Sequence, residues 1–165
     1  MYVGGLQSTK GVCKKSWDHD FCSFWMPLAG AVSLARMKVY LWSFGYRFGG
    51  PPEPAQTDGD DQAQICLPVV DVRKGIIDPF QAVGNQTGLD QEVSAEVLSR
   101  GGQQAANRIV AELKALSAGS VRECSVCVGC VGGRHRSVAI VEEVARSLRE
   151  LIVYHVDVNH RDIEK

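Results

Sequence analysis

Residues Cys130–Ser137, Cys-Val-Gly-Gly-Arg-His-Arg-Ser, lie between two segments of regular pattern. The preceding segment, Glu123–Gly129, contains small and β-branched residues and predicts a strand. The following segment, Ser137–Leu148, predicts a helix, because its apolar residues recur at helical spacing. These residues share one face: Val138, Val141, Val144, Ala145 and Leu148. A strand that leads through a glycine-rich loop into a helix is typical of α/β folds.

Further elements are predicted on both sides of this unit. Strands are expected at Lys38–Phe44 and Ile152–Val158, and helices at Leu89–Ser99 and Gly101–Ser117. The nearly continuous apolar run Ile65–Val72 predicts a strand covered on both faces. Strands that alternate with helices predict an α/β fold, a single layered domain with a mostly parallel sheet flanked by helices.

The domain is predicted to span residues 37–165, and residues 1–36 are expected to be an N-terminal extension. Lys14 and Lys15 precede the apolar run Phe21–Ala35, which gives some likeness to a signal peptide. Asp18 interrupts the basic region, and the run is shorter than the roughly 20 residues that a membrane span needs. We therefore expect no membrane partner.

The composition excludes some classes of protein. The net charge is -1, so this is no uniformly basic nucleic-acid coat, and any anion-binding surface must be local. The six cysteines are unevenly spread, unlike the dense disulfide framework of a small secreted domain. These features favour a cytoplasmic location. The sequence predicts no metal site and no cofactor.

The loop is predicted to bind an anion. Gly132 and Gly133 leave room for a ligand, and their amides can point inward. The helix that follows offers free N–H groups and a partial positive charge. Arg134, His135 and Arg136 add charge or hydrogen-bond donors. Ser137 is expected to act as the N-cap or as a ligand hydroxyl.

Two more polar groups are predicted to join this site. Asp71 and Arg73 end one predicted strand, whereas His160 and Arg161 follow another. If these strands run parallel to the one before Cys130, all three groups meet at one edge of the sheet. The alternatives are a local ion pair between Asp71 and Arg73, and an ordinary polar chain end at His160.

A catalytic alternative arises from the spacing of Cys130 and Arg136. Cys-x5-Arg is the pattern of cysteine phosphatases, in which a thiolate at a helix N-terminus is the nucleophile. Asp71, Asp78 or Asp162 would then be the general acid. Residue 129 is Gly, where those enzymes usually have His.

Two other hypotheses find less support. Cys124-x2-Cys127-x2-Cys130 resembles the opening of an iron–sulfur motif, but no cysteine follows at the required position. Cys124 and Cys127 would also face opposite sides of a strand, so buried cysteines are the simpler interpretation. The chain contains no Gly-x4-Gly-Lys-Ser/Thr sequence, which argues against a P-loop nucleotidase.

Residues 38–165 resemble the C-terminal domain of the RNase adapter protein RapZ family. Gly129–Val138 is similar to the family motif Gly-Cys-Thr-Gly-Gly-Lys-His-Arg-Ser-Val. Shorter segments also match in the expected order: Ser43–Tyr46, Val70–Arg73, Asp78–Phe80, Thr87–Asp90 and His160–Asp162.

The resemblance implies an α/β domain that binds a phosphate group, with glucosamine-6-phosphate as the sensed metabolite. It also implies binding of small regulatory RNA, presentation of that RNA to an endoribonuclease, and assembly into homodimers. The family's preceding P-loop kinase-like domain has no counterpart in this sequence, so ATP binding is not carried over. The expected function is a sensor or adapter module rather than an enzyme.

Three departures from the family pattern bear on these expectations. Val131 replaces a Thr of the phosphate loop, and Phe80 stands where some members have His. The sequence ends in Asp-Ile-Glu-Lys, whereas the RNA-binding members have a basic tail. Because RNA affinity depends on neutralising phosphates with Lys and Arg, RNA is the partner that this sequence supports least.

Overall fold

Five parallel strands form the centre of the domain. The structure, a computed structural model, describes residues 36–53, 64–79, 85–119 and 121–165. In chain order the strands and helices are β1 (Met37–Gly45), β2 (Ile65–Cys66), β3 (Val70–Asp71), α1 (Gln91–Val97), α2 (Gln103–Ser117), β4 (Glu123–Cys130), α3 (Arg136–Arg149) and β5 (Tyr154–His160). A 3-10 turn, Tyr46–Phe48, follows β1. The expected N-terminal extension lies outside the described residues, except for residue 36.

β1 and β4 lie at the centre of the sheet. β1 pairs with β4 on one side and with β5 on the other, while β2 and β3 both pair with the opposite side of β4. Alternate residues of β1, Met37, Val39 and Leu41, are buried because they face the helices. The parallel sheet confirms the predicted α/β class.

Helix α3 packs directly on this sheet. It contacts β1, β4 and β5, and α1 and α2 pack against it in turn. The predicted apolar face is buried, including Val141 and Leu148. Ala139 and Ile140 are also fully buried, so α3 is covered on more sides than the amphipathic pattern predicts. No helix among the described residues is long and apolar enough to cross a membrane.

The prediction for Ile65–Val72 was wrong in two respects. The segment forms two two-residue strands at the edge of the sheet, and Val69 between them is 39% exposed. Pro68 explains the break, because proline has no N–H with which to continue the ladder. An apolar run alone does not distinguish an edge strand from a central one.

Several element boundaries also differ from the predictions. α1 begins at Gln91 rather than Leu89, and a π-helical turn at Leu98–Gly102 joins it to α2. Gly101 in this turn has φ 107°, a conformation that glycine adopts readily. The last strand begins at Tyr154 rather than Ile152, whose side chain is 75% exposed in the preceding turn.

Candidate functional site

The carboxyl ends of the strands bring the predicted groups to one edge of the sheet. Gly45 of β1 is in register with Cys130 of β4, and Asp71 of β3 is in register with Gly129. His160 ends β5, next to the end of β1. Ligands of α/β proteins bind at this edge, where loops lead from strands into helices.

The two glycines of the loop after β4 have different environments. Gly133 has φ 74°, and a Cβ atom there would lie 2.7 Å from the backbone nitrogen of Gly45. Its N–H donates to Sγ of Cys130 at 3.1 Å. A Cβ atom on Gly132 would meet nothing within 4 Å. Gly133 therefore allows close packing of the loop, whereas Gly132 lies beside open space.

Helix α3 begins at Arg136, and its N-cap is His135. The expectation that Ser137 caps the helix was therefore wrong. Ser137 is fully buried inside the first turn, and its Oγ lies 3.2 Å from Sγ of Cys130. This contact ties the start of the helix to the end of β4, so the hydroxyl stabilises the loop.

Arg136 is 4% exposed and holds the segment that follows β3. Its Nη1 donates to the carbonyl of Ile76 at 3.0 Å, and Nη2 donates to the carboxylate of Asp78 at 2.7 Å. Longer bonds from Nη1 reach the carbonyls of Val72 and Arg73 at 3.5 and 3.3 Å. Both terminal nitrogens thus have protein acceptors, and the side chain stabilises the segment that follows β3.

A cavity of ≈ 560 Å³ lies beside the loop, and we call it the loop pocket. It is lined by Arg47, Phe48, Asp78, Asn85, Cys130, Val131, Gly132, Arg134, His135 and Lys165. Three of the predicted ligand-binding residues, Gly132, Arg134 and His135, line this cavity.

Arg134 lies in the wall of the loop pocket with unused hydrogen-bonding capacity. Its Nη2 donates to the carbonyl of Asn85 at 2.8 Å. Its Nε is buried and has no partner in the described part of the chain. Within the same part, the backbone N–H groups of Gly132 and Arg134 donate to no acceptor. A bound anion would satisfy such donors.

His135 is buried between two acceptors. Its Nε2 lies 2.8 Å from the carbonyl oxygen of Gln86, and its Nδ1 lies 3.2 Å from a carboxylate oxygen of Asp78. A carbonyl and a carboxylate can only accept, so each contact is a hydrogen bond when the ring nitrogen carries a proton. The two contacts fix the orientation of the ring at the start of α3.

The other predicted companions lie at the same sheet edge but do not line the loop pocket. Nδ1 of His160 lies 2.8 Å from Oγ of Ser43, and Nε2 lies 2.9 Å from the carboxylate of Glu142. This second bond lowers the pKa of Glu142, against the opposing effect of burial. Arg161 bonds Asp162 and the carbonyl of Gly45. These contacts join β5 to its neighbours.

Asp71 and Arg73 form the local ion pair that the sequence left as an alternative. Nη2 of Arg73 lies 2.6 Å from the Asp71 carboxylate, and this hydrogen-bonded pairing lowers the pKa of Asp71. The guanidinium also lies 3.8 Å from the ring centroid of Tyr46. Asp71 lines a second cavity of ≈ 670 Å³ between residues 68–76 and α2, which we call the edge pocket.

Asp162 has a structural role that the sequence did not reveal. It is fully buried, and it accepts bonds from the Gly45 N–H at 2.8 Å and from Arg161 and Lys165 at 2.9 Å each. Burial raises its pKa, but these bonds outweigh that effect and lower the pKa to about 2. A Cβ on Gly133 would lie 2.9 Å from Cβ of Asp162, so this carboxylate sits directly behind the loop.

The cysteines of the described segments are free thiols: Cys66, Cys124, Cys127 and Cys130. Burial raises the pKa of Cys124 and of Cys127 to about 11 each, which makes them poor nucleophiles and poor metal ligands. The described residues contain no group of three or more His, Cys, Asp or Glu side chains that could hold a metal ion.

Several curated proteins are similar to this chain. A protein from Leifsonia xyli named as a nucleotide-binding protein is 34% identical over 134 residues, which are 78% of this chain and 42% of that protein. Nucleotide-binding proteins from Corynebacterium diphtheriae and Thermus thermophilus are 37% and 35% identical over 77% and 76% of the chain. The chain spans 40% and 42% of their respective lengths.

The family comparison covers the described domain. The family model of the RapZ C-terminal domain matches residues 37–164. This match includes the strands, the glycine loop and the residues of the loop pocket other than Lys165, and it agrees with the resemblance found in the motifs. The chain belongs to the RapZ C-terminal domain family.

Proposed function

We propose that this domain binds the phosphate group of a small phosphorylated metabolite in the loop pocket and acts as a sensor or adapter module. The observation that carries the proposal is the convergence of Gly132, Arg134 and His135 on one cavity at the N-terminus of α3. Open space at Gly132 lets an anion approach the backbone closely.

Each feature of the pocket favours a phosphate for a physical reason. The 14-residue helix α3 presents the positive end of its dipole to the loop. The N–H groups of Gly132 and Arg134, which have no acceptor in the part of the chain that the structure describes, can donate to phosphate oxygens. The guanidinium of Arg134 can add charge-assisted bonds, which are stronger than neutral ones.

Glucosamine-6-phosphate is the ligand that the family resemblance favours. The relatives are named as nucleotide-binding proteins, but this chain matches about two fifths of their length, so their nucleotide site need not lie in the shared part. Val131, where the family has Thr, removes one hydroxyl from the loop. We propose a phosphosugar as the ligand, bound more weakly than a threonine-containing loop would bind it.

The substitution Gly132→Ala tests this proposal with little disturbance of the fold. A Cβ at residue 132 meets no atom within 4 Å, so stability should change by less than about 1 kcal/mol. The methyl group would occupy the approach of the phosphate, and we expect at least about tenfold weaker binding of glucosamine-6-phosphate. Isothermal titration calorimetry measures the affinity. Unchanged affinity would place the ligand elsewhere.

The phosphatase hypothesis makes a different prediction for the same site. Cys130 lines the pocket, but the terminal nitrogens of Arg136 bind Asp78 and backbone carbonyls instead of converging on the thiol. We therefore expect no hydrolysis of p-nitrophenyl phosphate, and Cys130→Ser should retain binding of glucosamine-6-phosphate. Turnover that disappears in Cys130→Ser would replace the sensor proposal with an enzymatic one.

The family resemblance also carries a proposal about macromolecular partners in the cytoplasm. These are a small regulatory RNA, an endoribonuclease and a second copy of the domain. The cations around the loop pocket are the local positive surface that an RNA backbone would need, given the net charge of -1. RNA binding should weaken steeply between 50 and 200 mM salt, on the order of 10³-fold or more for six phosphate contacts. A flat salt response would exclude it.

A further inference from the structure

The loop pocket is also lined by cations that the proposed phosphate site does not use. Arg47 and Phe48 belong to the 3-10 turn after β1, and Lys165 lies in the turn after β5. All three line the pocket. They come from segments more than 110 residues apart, so only the fold brings them together.

These side chains converge on one aromatic ring. The guanidinium carbon of Arg47 lies 6.0 Å from the ring centroid of Phe48, and Nζ of Lys165 lies 5.4 Å from it. Phe48 itself is 38% exposed. Both cations lie over this ring, so cation–π contacts with Phe48 bring the two positive groups together at the pocket wall.

The backbone of Arg47 and the ammonium group of Lys165 are bonded to fixed parts of the structure. The N–H of Arg47 donates to the carbonyl of Val131 at 3.0 Å, which joins this wall to the glycine loop. Nζ of Lys165 lies 2.9 Å from the carboxylate of Asp162, which is fully buried. Arg47 makes no ion pair with any residue in the described segments.

We infer that Arg47 and Lys165 form a second anion-binding position in the loop pocket, and that the ligand is a small molecule with two anionic groups on a ring. This inference rests on the proposed function, because the first group occupies the position at Gly132 and Arg134. The ring of the ligand separates its two anionic groups so that each reaches one of the two positions. A monophosphate satisfies one of the two positions.

Binding of four anions tests the inference. The probes are inorganic phosphate, pyrophosphate, glucosamine-6-phosphate and glucose 1,6-bisphosphate, each titrated calorimetrically at constant ionic strength. We expect the sugar bisphosphate to bind about tenfold to a hundredfold more tightly than glucosamine-6-phosphate, as one added set of charge-assisted bonds provides. Pyrophosphate carries two adjacent anionic groups without a ring. If pyrophosphate gains as much affinity over inorganic phosphate as the bisphosphate gains over glucosamine-6-phosphate, the ring is dispensable and the ring requirement is overturned.

Two charge-neutralising variants locate the second position. Arg47→Gln and Lys165→Gln should each remove most of the advantage of the bisphosphate while changing the affinity for inorganic phosphate by less than about threefold. Replacing Lys165 by arginine instead of glutamine should restore the tighter binding of the bisphosphate. Arg108→Gln, which removes an exposed charge on α2 outside the loop pocket, is the matched control and should leave the advantage intact.

The outcomes separate this inference from the proposed function. If glucosamine-6-phosphate binds and the bisphosphate binds no more tightly, the second position is excluded and the phosphate site stands. Equal losses for every anion in Arg47→Gln would also overturn the inference, since they would indicate a general electrostatic effect. If none of the anions binds, the proposed function and the inference fall together.

Discussion

Replacing Gly133 by alanine should lower the free energy of unfolding by about 3 kcal/mol or more, the sum of two effects. The residue has φ 74°, which costs an L-residue roughly 1–2 kcal/mol. The added Cβ would also lie 2.7 Å from the nitrogen of Gly45 and 2.9 Å from Cβ of Asp162. Neither neighbour can move freely, because the Gly45 N–H is bonded to the buried carboxylate.

Gly132→Ala is the matched control for this prediction. It adds the same atom one residue earlier, where nothing lies within 4 Å. Equilibrium urea unfolding of both variants measures the difference in the free energy of unfolding. Similar stabilities for Gly133→Ala and the wild-type protein would show that the loop does not pack against β1 and the turn at Asp162 as described.

Replacing Arg136 by alanine should cost about 3 kcal/mol or more, because it removes at least two charge-assisted hydrogen bonds of roughly 1.5–3 kcal/mol each. The guanidinium is 4% exposed and bonds Asp78 as well as the carbonyls of Val72, Arg73 and Ile76. Removing it takes the guanidinium donor away from these carbonyls and from the Asp78 carboxylate. Arg136→Lys should recover little, because one ammonium group cannot reproduce the planar fork.

Arg134→Ala provides the comparison in the same loop. Among the described residues, the terminal nitrogens of Arg134 make a single hydrogen bond, to the carbonyl of Asn85, so its loss should cost about 1 kcal/mol. We expect Arg134→Ala to weaken phosphate binding. Arg136→Ala should instead lower the free energy of unfolding, which urea unfolding measures. A stable Arg136→Ala protein that no longer binds phosphate would reverse these assignments.

The central strands were predicted well because their sequence determines them locally. Alternating burial along Met37–Gly45 and the small apolar residues of Glu123–Cys130 suit strands at the middle of a sheet. The edge segment was predicted less well. Ile65–Val72 has the composition of a buried strand, and its position at the edge depends on which strands pair with β4. Pairing is a property of the whole fold.

The candidate site was likewise predictable from the sequence only in part. The Gly-Gly pair and its place between a strand and a helix were visible in the sequence, as were the cations that follow. The direction of each side chain was not, because it depends on where the helix begins. Since α3 begins at Arg136, that side chain and Ser137 turn inward, while Arg134 lines the pocket.

Arg47 and Lys165 could not have been found from the sequence. No local motif marks them, and they approach Phe48 because parallel pairing places the ends of β1 and β5 side by side. The sequence pointed to Asp162 only weakly, because this residue follows His160 and Arg161 in a segment that resembles the family. Its burial and its bond to Gly45 are consequences of the register between strands.

Amide chemical shifts during titration with glucosamine-6-phosphate test the central claim most directly. In ¹⁵N-labelled protein, we predict that the largest changes occur at Gly132 and Arg134, whose N–H groups have no partner in the described segments. Amides of α2 beside the edge pocket should move little. Changes centred on α2, or no changes at millimolar ligand, would contradict a phosphate site at the glycine loop.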